Sequence, residues 1–285
     1  MAKNNPAIKP FVKWAGGKRQ LLGEIKKHIP ENLDDYTYYE PFVGAGAVLF
    51  ELQPKKAVIN DSNCQLMITY TAIKKDVQAL VSLLKKHEKA CGKNYYYEVR
   101  DMDRNPDQFA RLSSAEKAAR TIFLNKTCFN GLYRVNSSGF FNVPLGRYKN
   151  PLICNEAVLN LISEYLNSSD IKILNEDFES AASTAGKNSF VYFDPPYHSE
   201  DKTAFTGYQA DGFGEECQKR LCNLMMELTK KGAKCLLSNS GTEFIRKLYN
   251  HDFFEIITVK AKRSINSNPA GRGSVDEVLI KNWRS

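Results

Sequence analysis

The chain has little with which to build a cross-linked or metal-stapled fold. Its seven cysteines, at 64, 91, 128, 154, 217, 222 and 235, are scattered over 285 residues and never form a C-x-x-C pair. That spacing argues against a disulfide framework and a zinc site. No apolar run approaches the roughly 18 residues needed to span a bilayer, and Met1 to Pro10 lacks the apolar stretch of a signal peptide. A soluble protein of the reducing cytoplasm is expected. Acidic residues are missing between Glu116 and Glu156 and again from Val259 to Val275. The third glycine of a G-x-G-x-x-G loop is also missing, because Leu49 stands in its place, which speaks against a pyrophosphate-binding dinucleotide site. There are no internal repeats or low-complexity tracts.

What is present suits a large α/β fold. Hydrophobic residues make up 42% of the chain, enough for a sizeable core, and a net charge of +8 favours a polyanionic partner such as nucleic acid. Tyr38 to Val43 reads as a strand entering a glycine loop, Ala47 to Leu52 as a helix, and Ala57 to Asn60 as a second strand. Helical patterns follow at 62–75, 76–89 and 95–103. Ser113-Ser114-Ala115-Glu116 then opens another helix with a capping box, and 155–167 is helical again. Strand patterns resume at 171–174, 190–194, 234–237, 253–260 and 276–281. The sheet therefore draws on both ends of the chain, and the expected layout is a doubly wound sheet (1–66 and 161–285) interrupted by an inserted module at 67–160.

The most informative residues are Asp194-Pro195-Pro196-Tyr197, closing the buried-strand pattern Phe190 to Phe193. Ligand sites in parallel sheets lie beyond the carboxyl ends of the strands, where Asp194 falls. Each proline holds the residue before it extended, and neither carries an N–H. An ionised Asp194 and the carbonyl of Pro195 together can accept both hydrogens of an exocyclic amino group, and Tyr197 offers a face for a base. The same tetrapeptide also suits a strand-ending turn with a capping aspartate.

Gly44-Ala45-Gly46 lets a ligand approach the backbone, and Asp61 ends the next strand at the spacing of a ribose-binding acid; a tight turn with a solvated aspartate is the alternative. Trp14 and Lys18 flank Gly16-Gly17 in a loop able to fold over a ligand, or in a plain helix-entry turn with a core tryptophan. Asp177 and Phe178 can hold an adenine between carboxylate and ring, or cap a helix. In the first acid-free stretch, Lys117, Arg120, Lys126, Arg134, Arg147 and Lys149 are interleaved with Phe129, Tyr133, Phe140, Phe141 and Tyr148. The pattern from Gly131 to Val143, with a polar tip at 136–139, reads as a β-hairpin fit for a major groove. There Arg134 or Arg147 can fork onto guanine and Asn130 or Asn136 onto adenine, each good pair giving about 1 to 3 kcal/mol of discrimination. A solvated basic face is the alternative. The second acid-free run, with Lys260, Lys262, Arg263 and Arg272, reads as a loop near phosphates.

In order along the chain stand F-V-K-W-A-G-G-K (11–18), E-P-F-V-G-A-G (40–46), N-D (60–61), N-G-L-Y-R-V-N (130–136), F-N-V-P-L-G-R-Y-K (141–149), D-P-P-Y (194–197) and L-S-N-S (237–240). Over nearly its whole length the chain resembles the alpha-group N6-adenine DNA methyltransferases, specifically the Dam-like and DpnII-type enzymes acting on GATC. The resemblance implies a Rossmann-like methyltransferase sheet with a mostly helical target-recognition domain carrying the hairpin. It implies S-adenosylmethionine held by Trp14, Lys18, Gly44, Ala45, Gly46, Asp61, Asp177, Phe178 and Asp194. It also implies double-stranded DNA facing Lys13, Leu132, Arg134, Pro144, Arg147 and Tyr148, and a cognate restriction endonuclease as a possible partner. The sequence departs from many relatives at Ala45, where they carry glycine, and in the variable loop 198–214. An RNA or protein-amide methyltransferase, an oxidoreductase on the same fold and a catalytically silent DNA-binding protein are the rival readings.

Overall fold

A computed structural model describes residues 7–14, 16–200, 213–262 and 274–284. Along the chain run α1 (Leu22–Lys27), β1 (Thr37–Glu40), α2 (Ala47–Leu52), β2 (Lys56–Asn60) and then five consecutive helices. These are α3 (Cys64–Lys75), α4 (Val77–Ala90), α5 (Lys93–Asp101), α6 (Pro106–Arg111) and α7 (Ser114–Thr127). After a long irregular segment come α8 (Glu156–Ser168), β3 (Asp170–Leu174), α9 (Phe178–Ala182) and β4 (Ser189–Phe193). The chain closes with α10 (Glu215–Lys230), β5 (Lys234–Ser240), α11 (Glu243–Leu248), β6 (Glu255–Lys262) and β7 (Ser274–Lys281).

The strands form one sheet in the order β3-β2-β1-β4-β5-β7-β6. The first five are parallel, and β7 lies antiparallel between β5 and β6. Strand order reverses between β1 and β4, so the crevice beyond their carboxyl ends is the topological switch point where such sheets bind ligands. Alternate residues serve opposite faces: Tyr38, Phe190, Tyr192 and Leu236 pack toward α2, α3 and α7, whereas Tyr39, Val191, Phe193 and Leu237 pack toward α9 and α10. Both faces are covered at the centre of the sheet, which is why β4 carries the unbroken apolar run Phe190 to Phe193. The doubly wound sheet expected from the sequence is present, with a helical insertion between β2 and β3.

Within the insertion α7 is the central helix. Its residues from Ala118 to Leu124 are buried on all sides, among them Arg120, which pairs with Asp103 at 2.8 Å and donates to the carbonyls of Val99 and Arg100. Its start carries the expected capping box between Ser113 and Glu116. Positions 67 and 160 fall inside α3 and α8, two helices that pack on each other and on β3 and so run from the sheet into the helical layer.

Three expectations are corrected. β1 stops at Glu40 rather than continuing to Val43, because Pro41 has no N–H to give a neighbouring strand. The hairpin is reduced to a ribbon held by isolated antiparallel bridges, Val135 with Phe141 and Cys128 with Leu145. Its anchorage comes instead from side chains: Asp103 accepts the Phe141 N–H, Arg104 donates to the Phe141 carbonyl, and Tyr96 donates to Val143. The second acid-free run is not wholly a loop, since β6 continues to Lys262 and β7 begins at Ser274; its remainder, with Arg263 and Arg272, lies outside the described residues, as does 201–212 of the variable loop.

The turn into α2 depends on Gly46, which has φ of +77° and leaves no room for a side chain: an added Cβ would sit 2.6 Å from the Tyr70 hydroxyl and 2.8 Å from the Phe50 ring. Gly46→Ala is therefore expected to lose about 2 to 4 kcal/mol of stability through strain and overpacking. Chemical denaturation checks this, and an unchanged midpoint would contradict it.

Candidate active site

Asp194 lies immediately after β4, and its surroundings follow from burial of a charge at the end of an apolar strand. Its Oδ1 accepts from Lys18 Nζ at 2.7 Å and from Ser238 Oγ at 2.9 Å. Burial pushes the Asp194 carboxyl above its ordinary range; the Lys18 ammonium and the Ser238 hydroxyl pull it partly back. The side chain keeps 17% of its surface open, so the carboxylate is recessed and still reachable. Lys18 Nζ also stands 4.5 Å from the centre of the Tyr197 ring and donates to the Gly16 carbonyl. A hydrogen-bond donor thus rests against Asp194 and on the face of Tyr197.

The segment after Asp194 is fixed from behind. Gln218 donates to the Pro196 carbonyl, Asn239 accepts the His198 N–H, Ser240 donates to the His198 carbonyl, and the Tyr197 hydroxyl donates to Glu277 at 2.8 Å. Among the described residues no hydrogen bond reaches the Pro195 carbonyl. Nothing in the sequence singles out Gln218 or Glu277; the L-S-N-S motif at 237–240 is the one available signal for Ser238, Asn239 and Ser240.

On the β1 side, Glu40 is buried, receives the Tyr38 hydroxyl at 2.8 Å and accepts the backbone N–H of Leu49. Burial, reinforced by nearby Asp194, drives its carboxyl well above the usual range, against the two donors. Leu49 is itself a core residue, which accounts for the missing third glycine. Gly44, with φ of +51°, packs against Trp14, whose Cδ1 lies 3.1 Å from where a Cβ would stand. The Gly44 N–H and the Asn63 N–H both donate to Asp61, whose carboxyl burial raises from 3.8 to about 6. Asn60 ties this region together by donating to the carbonyls of Pro41 and Glu176 and accepting the Glu176 N–H. Phe178 stacks on Phe42 with centroids 5.4 Å apart. Asp177 caps α9 and pairs with Arg220, so the capping alternative holds for it.

These groups suit S-adenosylmethionine. Two backbone donors leave Asp61 with lone pairs for ribose hydroxyls, the Gly44 to Gly46 backbone carries no bulk against a ligand, and Asp194 supplies a carboxylate for a cationic donor.

Lys13, Asn130, Leu132, Arg134, Asn136, Pro144, Arg147 and Tyr148 are all exposed. Several are physically linked. Asn125, buried in α7, accepts the Lys13 N–H and donates to the carbonyls of Lys13 and Gly131, and the Lys13 ammonium lies 5.3 Å from the Tyr148 ring centre. Phe129 N–H donates to Pro144, and Arg134 Nε donates to Asn142. Asn136 differs from the expectation of a bidentate adenine contact: its Oδ1 accepts from Ser138 and Phe140 and shapes the ribbon tip, leaving only its Nδ2 for an outside partner. Asn125 is not among the residues expected from the sequence; its place directly after the apolar Ile122-Phe123-Leu124 is the one visible signal. Among the described residues no cluster of metal-ligating side chains occurs.

Residues 14–265 match the profile of the family described as D12 class N6 adenine-specific DNA methyltransferase. The chain is 43% identical over 284 residues to the type II methyltransferase M1.LlaDCHI of Lactococcus lactis subsp. cremoris, covering 99% of this chain and 98% of that protein. It is 44% identical over 296 residues to the type II methyltransferase M.MjaIII of Methanocaldococcus jannaschii, covering 97% and 99%. To the DNA adenine methylase of Escherichia coli K12 it is 33% identical over 273 residues, covering 94% and 93%.

A ribose held by Asp61 requires the ionised carboxylate. With a carboxyl near 6, protonation competes with the ligand, and affinity for S-adenosylmethionine is expected to fall about tenfold between pH 7 and pH 5. Titration calorimetry across that range measures it. Asp61→Ala should bind weakly at every pH, without the slope; a flat profile for the unaltered protein would contradict this role.

Proposed function

We propose that this chain, which belongs to the D12 class of N6 adenine-specific DNA methyltransferases, methylates the adenine of GATC in double-stranded DNA. The activity itself, S-adenosylmethionine-dependent transfer to adenine N6, is that of the family. The GATC target rests on the resemblance of the ordered motifs at 130–136 and 141–149 to enzymes of that specificity. The type II methyltransferases of Lactococcus lactis and Methanocaldococcus jannaschii to which the chain is similar support a setting beside an endonuclease that cuts the same site.

One observation carries the mechanism: at the switch point the Lys18 ammonium, a hydrogen-bond donor, lies 2.7 Å from Asp194 Oδ1 and 4.5 Å from the centre of the Tyr197 ring, the corner in which an amino group on a stacked base would sit. Adenine inside a duplex hides its amino group, so the base is extruded at a cost of a few kcal/mol. Tyr197 offers the face for stacking, with its hydroxyl anchored to Glu277. Lys18 moves off that face as the base enters. Asp194 and the Pro195 carbonyl then accept the two N6 hydrogens, which orients the nitrogen lone pair away from the ring plane. S-adenosylmethionine supplies, when bound, an electrophilic methyl on its sulfonium, the sulfur keeping the electron pair of the S–C bond that breaks. As N6 gains the methyl it becomes positively charged; Asp194 disperses that charge until an N6 proton departs to water, so positioning and electrostatics act in place of a strong base.

In this reading the segment 67–160 is the target-recognition domain and 1–66 with 161–285 the catalytic domain. Lys13, whose backbone is held by Asn125, and Tyr148, over whose ring the Lys13 ammonium lies, stand beside the duplex at the extruded base; Arg134 reads a guanine.

Incubating unmethylated DNA with labelled S-adenosylmethionine and mapping the modified adenines tests the whole proposal; label confined to GATC supports it, and label at another sequence rejects the assigned target. Asp194→Ala should abolish transfer while leaving the fold intact, and near-normal turnover would count against the mechanism. Arg134→Ala should relax discrimination by about 1 to 3 kcal/mol at one base pair, read as turnover on singly altered sites. An unchanged ranking of those sites would remove Arg134 from base reading.

A further inference from the structure

Two buried hydroxyls stand behind the catalytic carboxylate. Ser238, fully buried on β5, donates through Oγ to Oδ1 of Asp194 at 2.9 Å, and its Oγ lies 3.0 Å from the hydroxyl of Tyr192, also fully buried on β4. A hydroxyl has one proton and two lone pairs. Because the Ser238 proton goes to Asp194, the Tyr192 hydroxyl must be the donor to Ser238, so a directed chain runs from Tyr192 to Ser238 to Asp194. Lys18 takes the same Oδ1.

Resting on the methyl-transfer reading, we propose that Ser238 is a positioning residue: held by Tyr192, its hydroxyl fixes Oδ1 of Asp194 and so reserves Oδ2 as the acceptor for an N6 hydrogen of the target base. Lys18 cannot do this throughout the reaction, since its ammonium lies on the Tyr197 face that the base needs. Once Lys18 has moved, Ser238 is the donor that still sets the carboxylate plane. The Ser238 hydroxyl is anchored in a strand flanked on both sides by other strands, whereas Lys18 belongs to a short turn before α1. A fixed carboxylate plane matters because transfer depends on alignment, and a misplaced acceptor lowers the rate without weakening binding.

The test compares Ser238→Ala and Tyr192→Phe with the unaltered chain by single-turnover methyl transfer, which separates chemistry from product release. Ser238→Ala should transfer about 10- to 100-fold more slowly, the range for a lost hydrogen bond to a charged group. Tyr192→Phe should lose less, in the same direction. Affinities for S-adenosylmethionine and for duplex DNA should stay within about twofold, as befits a loss confined to the transition state. The acid limb of the rate profile should also move to higher pH in Ser238→Ala, because a donor favouring the ionised carboxyl is gone. The other groups facing Asp194 and its neighbours, Lys18, Glu40, Tyr192, Tyr197 and Glu277, are unaltered in that variant. Wild-type transfer rates in both variants, or losses that only follow weaker binding or a lower folded fraction, would overturn the role of Ser238. Absence of transfer by the unaltered chain would instead overturn the methyl-transfer reading, and this inference with it.

Discussion

The site depends on keeping a carboxylate ionised and accessible in a place where the fold makes ionisation unfavourable. Asp194 ends a strand whose five residues are all buried, and a charge there requires a compensating partner. That partner is Lys18, whose ammonium lies 2.7 Å from Asp194 Oδ1 and over the Tyr197 ring. In the proposed mechanism the charge that develops on N6 during transfer lies beside Asp194, so the corner favours the transition state over the bound ground state. The raised carboxyls of Glu40 and Asp61 belong to the same environment, in which desolvation is the largest influence on all three.

The rest of the architecture places other groups around that corner. The reversal of strand order sets the end of β1, with its glycine loop, beside the end of β4. Three asparagines act as connectors: Asn60 joins the loops after β1 and β3, Asn125 joins the Lys13 segment to the ribbon at Gly131, and Asn239 holds the backbone after Tyr197. Each is nearly inaccessible and has several hydrogen bonds, the condition under which buried polar groups specify one arrangement. Rigidity on the catalytic side contrasts with the exposed ribbon side, where Phe129, Leu132, Tyr148 and Leu152 present apolar surface.

Much of this was legible in the sequence. The strand runs at 171–174, 190–194 and 234–237 each fall on a strand of the fold, although β4 stops at Phe193 and β5 continues through the buried polar residues Ser238, Asn239 and Ser240. The capping box at Ser113 and the glycine turn at 44–46 are local signals with local causes, and both are realised. What was not legible depends on contacts distant in sequence. Lys18 and Asp194 are brought together by the sheet, the ribbon is pinned by Asp103 and Arg104 rather than by its own ladder, and Glu277 reaches Tyr197 only because β7 inserts antiparallel next to β5. Helix α10, whose buried positions Leu221, Leu224, Met225 and Leu228 recur at helical spacing, is not among the elements expected from the sequence, although it supplies Gln218.

The most direct test is the structure of the chain bound to a GATC duplex and an unreactive cofactor analogue. The account predicts the target adenine outside the helix, its N6 within hydrogen-bond distance of Asp194 and the Pro195 carbonyl, its ring on Tyr197, and Lys18 displaced from that face. An adenine extruded into any other pocket, or seated with the Lys18–Asp194 pair still closed, would contradict it.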